Sequence, residues 1–180
     1  LFDYLRKSRS QGWVLSLSGG ADSSAIASLC ALSIQYATAE LGWEGLKNKL
    51  SYIPLTTQDR AMADLLTTIY QGTVNSSQNT RDSAQQLAEW IGSTHYVIEI
   101  DGIVKGYRDL VEKAINRPLT WEQDDITLQN VQARVRAPSA WMLANIKNAL
   151  LLATSNRSEA SVGYATMDGD TSGSISPISG

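Results

Sequence analysis

Ser18-Gly19-Gly20-Ala21-Asp22-Ser23 is the stretch of this 180-residue chain whose residue types point most directly to chemistry. It follows a short apolar run, Val14-Leu15-Ser16-Leu17, and opens a segment rich in alanine, serine and leucine. Two glycines let the backbone turn sharply and approach an anion with no Cβ in the way. A helix beginning here presents unpaired N–H groups and its positive dipole end to the same spot. Ser18, Ser23 and Ser24 add hydroxyl donors, and Asp22 adds a carboxylate suited to holding Mg²⁺ on a phosphate. An N-cap by Asp22 or Ser23 alone does not ask for two adjacent glycines with a serine on each side. The stretch reads as a phosphate-cradling loop.

Further candidates lie far along the chain. Glu159 stands three residues after Asn156, the spacing of a capping box. It is also a second carboxylate for a phosphate-bound Mg²⁺, which usually takes one or two protein carboxylates plus phosphate oxygens. Thr154 is placed to donate its hydroxyl to an α-phosphate. Asn130 and Arg134 are four residues apart and share a helix face, whereas Arg134 and Arg136 point apart, so at most one of them faces a given ligand squarely. An arginine fork suits a pyrophosphate or carboxylate. His95, the only histidine, has no visible acid partner and reads as core-edge packing. Cys30 reads as a small buried hydrophobe, and the five tryptophans as core anchors. No Cys/His spacing points to zinc.

The elements that must hold these residues alternate. Strands are expected at the 14–17 run, at 65–70, at 95–100 and at 150–154. Helices are expected over 1–10, from 23 to about 41 (apolar nearly all round, hence buried), 81–91, 103–116 and a long pattern from about 124 to 149. Gly42 ends the second helix, and Thr80 or Asn79 caps the third. In the 103–116 helix, Ile103, Tyr107, Leu110, Val111 and Ile115 fall near one face. Pro138 breaks or kinks the long pattern near Arg136 or Ala137. Residues 46–64 read either as a strand over 52–56 plus a helix, or as an inserted excursion. Residues 168–180, rich in Gly, Ser and Asp, read as a mobile loop. This alternation predicts an α/β fold, a parallel sheet flanked by helices on both faces. Ligands of such sheets bind beyond the carboxyl ends of the strands. That rule gathers the loop at 18–24, the segment 71–80 and the segment 154–159 into one site.

Composition sets the outer bounds. The chain is 43% hydrophobic and 18% charged with a net charge of −3, which gives no nucleic-acid footprint. No apolar run approaches the ~20 residues that span a bilayer. A single cysteine rules out an internal disulfide and fits a reducing, cytoplasmic setting. The length suits one domain. Beginning at Leu1, the sequence reads as an excised domain.

The loop is neither the Walker pattern, which requires GxxxxGK[ST], nor GxGxxG. Strand, SGGxDS, helix instead resembles the loop of the ATP pyrophosphatases, the PP-loop enzymes with an adenine nucleotide alpha hydrolase-like fold. They cleave ATP between its α and β phosphates. That loop alone leaves GMP synthetase, asparagine synthetase and tRNA-modifying relatives open. Adding NSSQNTRDSAQQLAEWIG, NVQARVR and ATSNRSEASVGYATMDGDTSG in that order, the chain resembles the synthetase domain of the NAD synthetases, and the glutamine-dependent branch most. The resemblance covers nearly everything but residues 46–64. It implies ATP-dependent amidation of deamido-NAD through an NAD-adenylate, with ammonia as nitrogen donor. It implies that Ser16, Leu17, Ser18, Gly19, Gly20, Ala21, Asp22, Ser23 and Thr154 bind ATP, and that Asp22 and Glu159 bind Mg²⁺. It implies that Asn130, Arg134 and Glu159 hold deamido-NAD and that Asp170 lies near the reacting amide, with Asp22, Asp170 and Thr154 in catalysis. It also implies a homodimer, and a glutaminase domain in the parent chain that is not in this sequence. Met167 and Ser174 stand where the ammonia-dependent branch has a lysine and an aspartate, and the downstream ATP-binding lysine has no counterpart here. The remaining alternatives are another PP-loop pyrophosphatase, of GMP synthetase or tRNA-thiolation type, or a nucleotide-binding module without turnover.

Overall fold

The computed structural model describes residues 1–179. Four strands, β1 (Trp13–Ser16), β2 (Leu66–Gly72), β3 (Thr94–Glu99) and β4 (Leu150–Leu152), form one parallel sheet in the order β3-β2-β1-β4. Register pairs Val14 with both Thr67 and Leu151, and Thr68 with His95. All seven residues of β2 are buried, as a central parallel strand requires.

The chain first steps outward from β1 to β2 to β3, by way of α2 (Ala21–Lys49), α3 (Ala61–Leu65) and α4 (Gln78–Ile91). It then returns past β1 to β4 by way of α5 (Asp101–Ile115), α6 (Trp121–Arg134) and α7 (Arg136–Ile146). Right-handed crossovers therefore put α2 and α4 on one face and α7 on the other. The core divides accordingly. Leu15, Leu17, Ile26, Cys30, Ala84 and Ala88 belong to a large buried cluster that also takes in Leu5 of α1 (Phe2–Ser8). Val14, Ile69, Leu151, Ala140 and Ala144 form a small one opposite.

Several elements depart from the sequence reading. Gly42 does break α2, with φ 69° and ψ 168°, yet helix resumes beyond it to Lys49. No strand forms over 52–56; the chain makes a 3-10 turn at Gln58–Arg60 and then α3. Helix α2 is not buried all round. Ile26, Cys30 and Ile34 face the core, whereas Leu29, Leu32 and Tyr36 are exposed. The N-cap of α4 is Ser77, which accepts from the Thr80 N–H, so neither Thr80 nor Asn79 caps that helix. The long helical pattern splits at Val135, one residue before the expected point. Pro138 then falls in the first turn of α7, where its missing N–H breaks no bond. Of the five tryptophans, Trp13 is buried and Trp43 packs on the large cluster, but Trp90, Trp121 and Trp141 are exposed.

The expected loop after 168 is a tethered segment. Ser174 N–H donates to Leu151 O and Ala153 N–H to Ile175 O, both at 2.8 Å, so the segment runs beside β4. Ile175 and Ile178 pack on the large cluster, an apolar anchor hidden among serines and glycines. Gly173 is required there, since a Cβ would lie 2.4 Å from Ala153 N. Gly180, the end of the expected loop, lies outside the described residues. Among the described residues no helix is long and apolar enough to cross a membrane.

Candidate active site

The order of the strands reverses direction between β1 and β4, and the carboxyl ends of these two strands make the crevice where doubly wound sheets bind ligands. The loop that leaves β1 begins in the ladder, with Leu17 N–H donating to Ile69 O at 2.8 Å. Gly19 then takes φ +80°, and a Cβ on it would sit 2.3 Å from the carbonyl oxygen of Thr80. Glycine is thus required twice over, for the left-handed backbone and for the close approach of α4. Gly20 is the N-cap of α2 and supplies no side-chain cap, leaving the first-turn N–H groups to face outward.

The loop's hydroxyls brace one another. Ser18 N–H donates to Ser23 Oγ at 3.3 Å, Gly20 N–H donates to Ser18 Oγ at 3.2 Å, and Ser24 Oγ donates to Gly20 O at 2.7 Å. Ser16, expected at the nucleotide, instead donates to Gln71 Oε1 at 3.0 Å, and Gln71 Nε2 donates on to Arg136 O and Ser139 Oγ. This chain fixes β1, β2 and the start of α7 relative to one another. Ser16 also lines the cavities beside the loop. Leu17 is fully buried; only its backbone faces the loop.

Asp22 and Glu159 come together through a third residue. Asn156 Nδ2 donates to Asp22 Oδ1 at 3.0 Å, while the Asn156 N–H donates to Glu159 Oε2 at 3.2 Å. Asn156 Oδ1 accepts from Glu159 N–H at 2.8 Å, completing the capping box of α8 (Arg157–Val162). The capping role of Glu159 is therefore real, and it does not compete with proximity to Asp22. Among the described residues no cluster of three or more His, Cys, Asp or Glu is placed around a metal site; the acidic set here is a pair.

Two cavities of about 110 and 130 Å³ adjoin the loop. Ser18 and Arg136 line both; Tyr70, Ser76 and Thr80 close the first, and Thr154 and Asp170 the second. The Asp170 carbonyl accepts from the Thr154 and Ser155 N–H groups at 3.0 Å each, fixing the 168–172 turn against the end of β4. Burial pushes the Arg136 guanidinium down from its ordinary value, and Tyr70 and Asp170 nearby oppose that shift.

Asn130 and Arg134 lie elsewhere. They line a separate cavity of about 560 Å³ with Tyr107, Thr127 and Pro138. Arg134 also borders a cavity of about 310 Å³ with Trp141, Asp168 and Ser172. Ala137 and Ser172 are common to that cavity and to the one beside the phosphate loop, so the two open next to each other. The arginines two apart do diverge, and Arg136 is the one that faces the loop. Its signal was present in the NVQARVR motif, but the break at Val135 that turns it inward was not. Asn156 was legible only as a cap. His95 remains outside the crevice: its Nδ1 shares a 2.8 Å hydrogen bond with Thr68 Oγ1. Met167 is exposed, and Ser174 is occupied by Leu151 O.

The NAD synthase family model matches residues 1–180. The chain is 37% identical over 99% of its length to a glutamine-dependent NAD(+) synthetase of Oryza sativa subsp. indica, and 36% identical over its full length to one of Bos taurus. It spans only 27% and 29% of those two proteins. Among solved structures, it superposes on a glutamine-dependent NAD(+) synthetase from Cytophaga hutchinsonii with TM-score 0.95 and 52% identity, covering 99% of this chain and 33% of that one. It superposes on an NH3-dependent NAD synthetase from Campylobacter jejuni with TM-score 0.71 and 26% identity, covering 99% of this chain and 62% of that one. The parallel sheet with SGGADS at the mouth of β1 is thus a PP-loop ATPase fold, and the chain belongs to the NAD synthase family.

Proposed function

We propose that this chain is the synthetase module that converts deamido-NAD to NAD at the expense of ATP. The observation that carries the reading is the Asp22–Asn156–Glu159 bridge, which sets two carboxylates beside a glycine-turned loop and a helix N-terminus. A nicotinate carboxylate oxygen attacks the α-phosphorus of ATP, the α–β bridge breaks and pyrophosphate leaves. Ammonia then attacks the acyl carbon of the adenylate, loses a proton and expels AMP.

The chain's own groups supply position and charge. First-turn N–H groups of α2, with Ser18 and Ser23, cradle the phosphates, and the loop from Ser16 to Ser23 carries the nucleotide. Arg136 adds a half-buried cation facing the same cavity, and Thr154 offers a hydroxyl donor at the α-phosphate. Asn130 and Arg134 hold deamido-NAD, assisted by Glu159, and Asp170 lies at the reacting amide. The acidic pair fits Mg²⁺. Its donors are hard oxygens, neither residue forms an ion pair among the described residues, and each carboxylate has one oxygen outside the Asn156 bridge. When bound, Mg²⁺ neutralises the charge of the phosphates.

The parent protein works as a homodimer in the cytoplasm, with a glutaminase domain as a source of ammonia. Its relatives' names and lengths, the buried thiol of Cys30 and the uncovered apolar residues of α5 support that reading. The test is to incubate the chain with ATP, Mg²⁺, deamido-NAD and ammonium and to measure NAD and AMP. Equal amounts of both are expected, and Asp22→Asn lowers the rate on the order of a hundredfold or more with the fold intact by circular dichroism. AMP without NAD, or an unimpaired Asp22→Asn, overturns the assignment.

A further inference from the structure

Gln71, near the carboxyl end of β2, is 6% exposed, and both polar atoms of its side chain are bonded. Nε2 reaches Arg136 O and Ser139 Oγ at 2.7 Å each, and Oε1 reaches Ser16 Oγ at 3.0 Å. A carbonyl only accepts, so Arg136 O fixes which end of the amide is nitrogen. Ser139 Oγ gives its own proton to Arg136 O at 3.2 Å and accepts from Gln71. Ser16 is then the donor to Oε1. Accepting at one end while donating twice at the other takes a carboxamide; a carboxylate or a thioether of the same length has no hydrogen to give.

The backbone of Gln71 meets Arg136 a second time. Arg136 Nε donates to Gln71 O at a long 3.4 Å, and Nη1 donates to Gln132 O. Among the described residues Nη2 has no acceptor, and Arg136 forms no ion pair. Nor is Nη2 sealed off, since the buried side-chain nitrogens and oxygens that lack a partner there belong to Trp13 and His95. A guanidinium pinned on two sides thus keeps one end open, and Arg136 lines both cavities beside the phosphate loop. Thr154, the hydroxyl assigned to the α-phosphate, shares one of them with Arg136 and Ser18. Neither Asp22 nor Glu159 lines that cavity, so the cation and the acidic pair serve different parts of the phosphate chain.

We infer that Arg136 is the cation at the α-phosphate and that Gln71 is its positioning residue, holding the guanidinium so that Nη2 meets the phosphoryl oxygens. The inference rests on the ATP-dependent reading above. A donor fixed at the phosphorus under attack stabilises the charge that its oxygens gain in the transition state. Calorimetry with AMP, which carries the α-phosphate alone, and with adenosine, which carries none, reads the contact without turnover. Arg136→Ala weakens AMP binding roughly tenfold or more and leaves adenosine binding unchanged. Gln71→Met weakens AMP binding on its own but adds almost nothing to Arg136→Ala, the non-additivity of two residues acting as one. Since Gln71 is buried, Arg136→Lys serves as a second variant; it keeps the charge, loses the fork and shows a smaller loss of AMP affinity. In turnover both Arg136→Ala and Gln71→Met lower kcat more than they raise KM for ATP. The inference is overturned by absence of AMP binding, by an equal loss for adenosine, by unchanged AMP affinity in Arg136→Ala, or by additive losses in the double variant. A chain that binds AMP through Arg136 but makes no NAD sinks the assigned reaction and keeps this contact; NAD formation with AMP binding indifferent to Arg136 does the reverse.

Discussion

The two faces of the sheet are built to different standards. On the α2/α4 face, Leu15, Leu17 and Ile26 are fully buried in one continuous cluster with α1 and the turns beyond α2. On the α7 face, the buried cluster is Val14, Ile69, Leu151 and two alanines of α7. Beyond it, α5 has no buried residue at all. Ile103, Tyr107, Leu110, Val111 and Ile115 do share a stripe as the sequence predicts, but they show it to the outside. One face is finished by this chain; the other displays an apolar surface of the kind that marks an interaction site.

Truncations measure that contrast. Ile26→Ala, in the closed face, costs about 3 kcal/mol in denaturant unfolding, as a fully buried aliphatic in a well-packed core does. Leu151→Ala in the smaller cluster costs about 2 kcal/mol, nearer the lower end of that range because the site collapses more easily. Equal losses would erase the distinction between the faces. Leu110→Lys on α5 changes the stability of a single copy by less than ~0.5 kcal/mol but lowers the apparent mass in sedimentation if α5 is the dimer face. An unchanged mass would remove α5 as the interface of the proposed dimer.

Two titrations sharpen the comparison at smaller scale. On the α2/α4 side, burial holds the His95 imidazole below its ordinary value of 6.5, opposed by Glu89. The unfolded chain then binds the proton more readily, so His95 contributes stability above pH 6.5 that is lost as pH falls through the lowered value. His95→Gln flattens that slope in pH-dependent melting; an unaltered slope assigns it to another group. In the α5–α6 connection, the Arg117 guanidinium holds Asp124 at about 2, below an ordinary 3.8, with help from the Thr120 N–H. Its contribution is complete above pH 3.8 and disappears toward pH 2. Asp124→Asn removes only that step, the smallest effect of the series, since the Arg117 side of the pair is exposed to solvent.

The sequence was most readable where local pattern is enough to fix the outcome. The glycines at 19 and 20, the strands of the sheet and the pairing of carboxylates at a shared rim all follow from local pattern plus the strand-end rule. What stayed hidden depends on partners distant in sequence. The cap at Ser77 is an exception, since its partner, the Thr80 N–H, is only three residues on, the ordinary N-cap spacing. Ile175 and Ile178 acquire a surface to pack on only after β4 is in place. The helix break beside Arg136 was read from Pro138 to within one residue, but which arginine it turns toward the loop was not, and the exposure of Trp90 and Trp141 depends on what lies outside this chain's own core.

A single asparagine joins positions 134 residues apart, tying the nucleotide loop to α8. Such a long-range closure forms late, because most of the chain must be synthesised and its loop entropy overcome before the two ends meet. The large cluster is likewise completed only from the far end of the chain, by Leu150 and Leu152 of β4. A chain cut short of residue 156 loses the tie to the glycine loop, the capping box of α8 and the Ile175 and Ile178 anchor together.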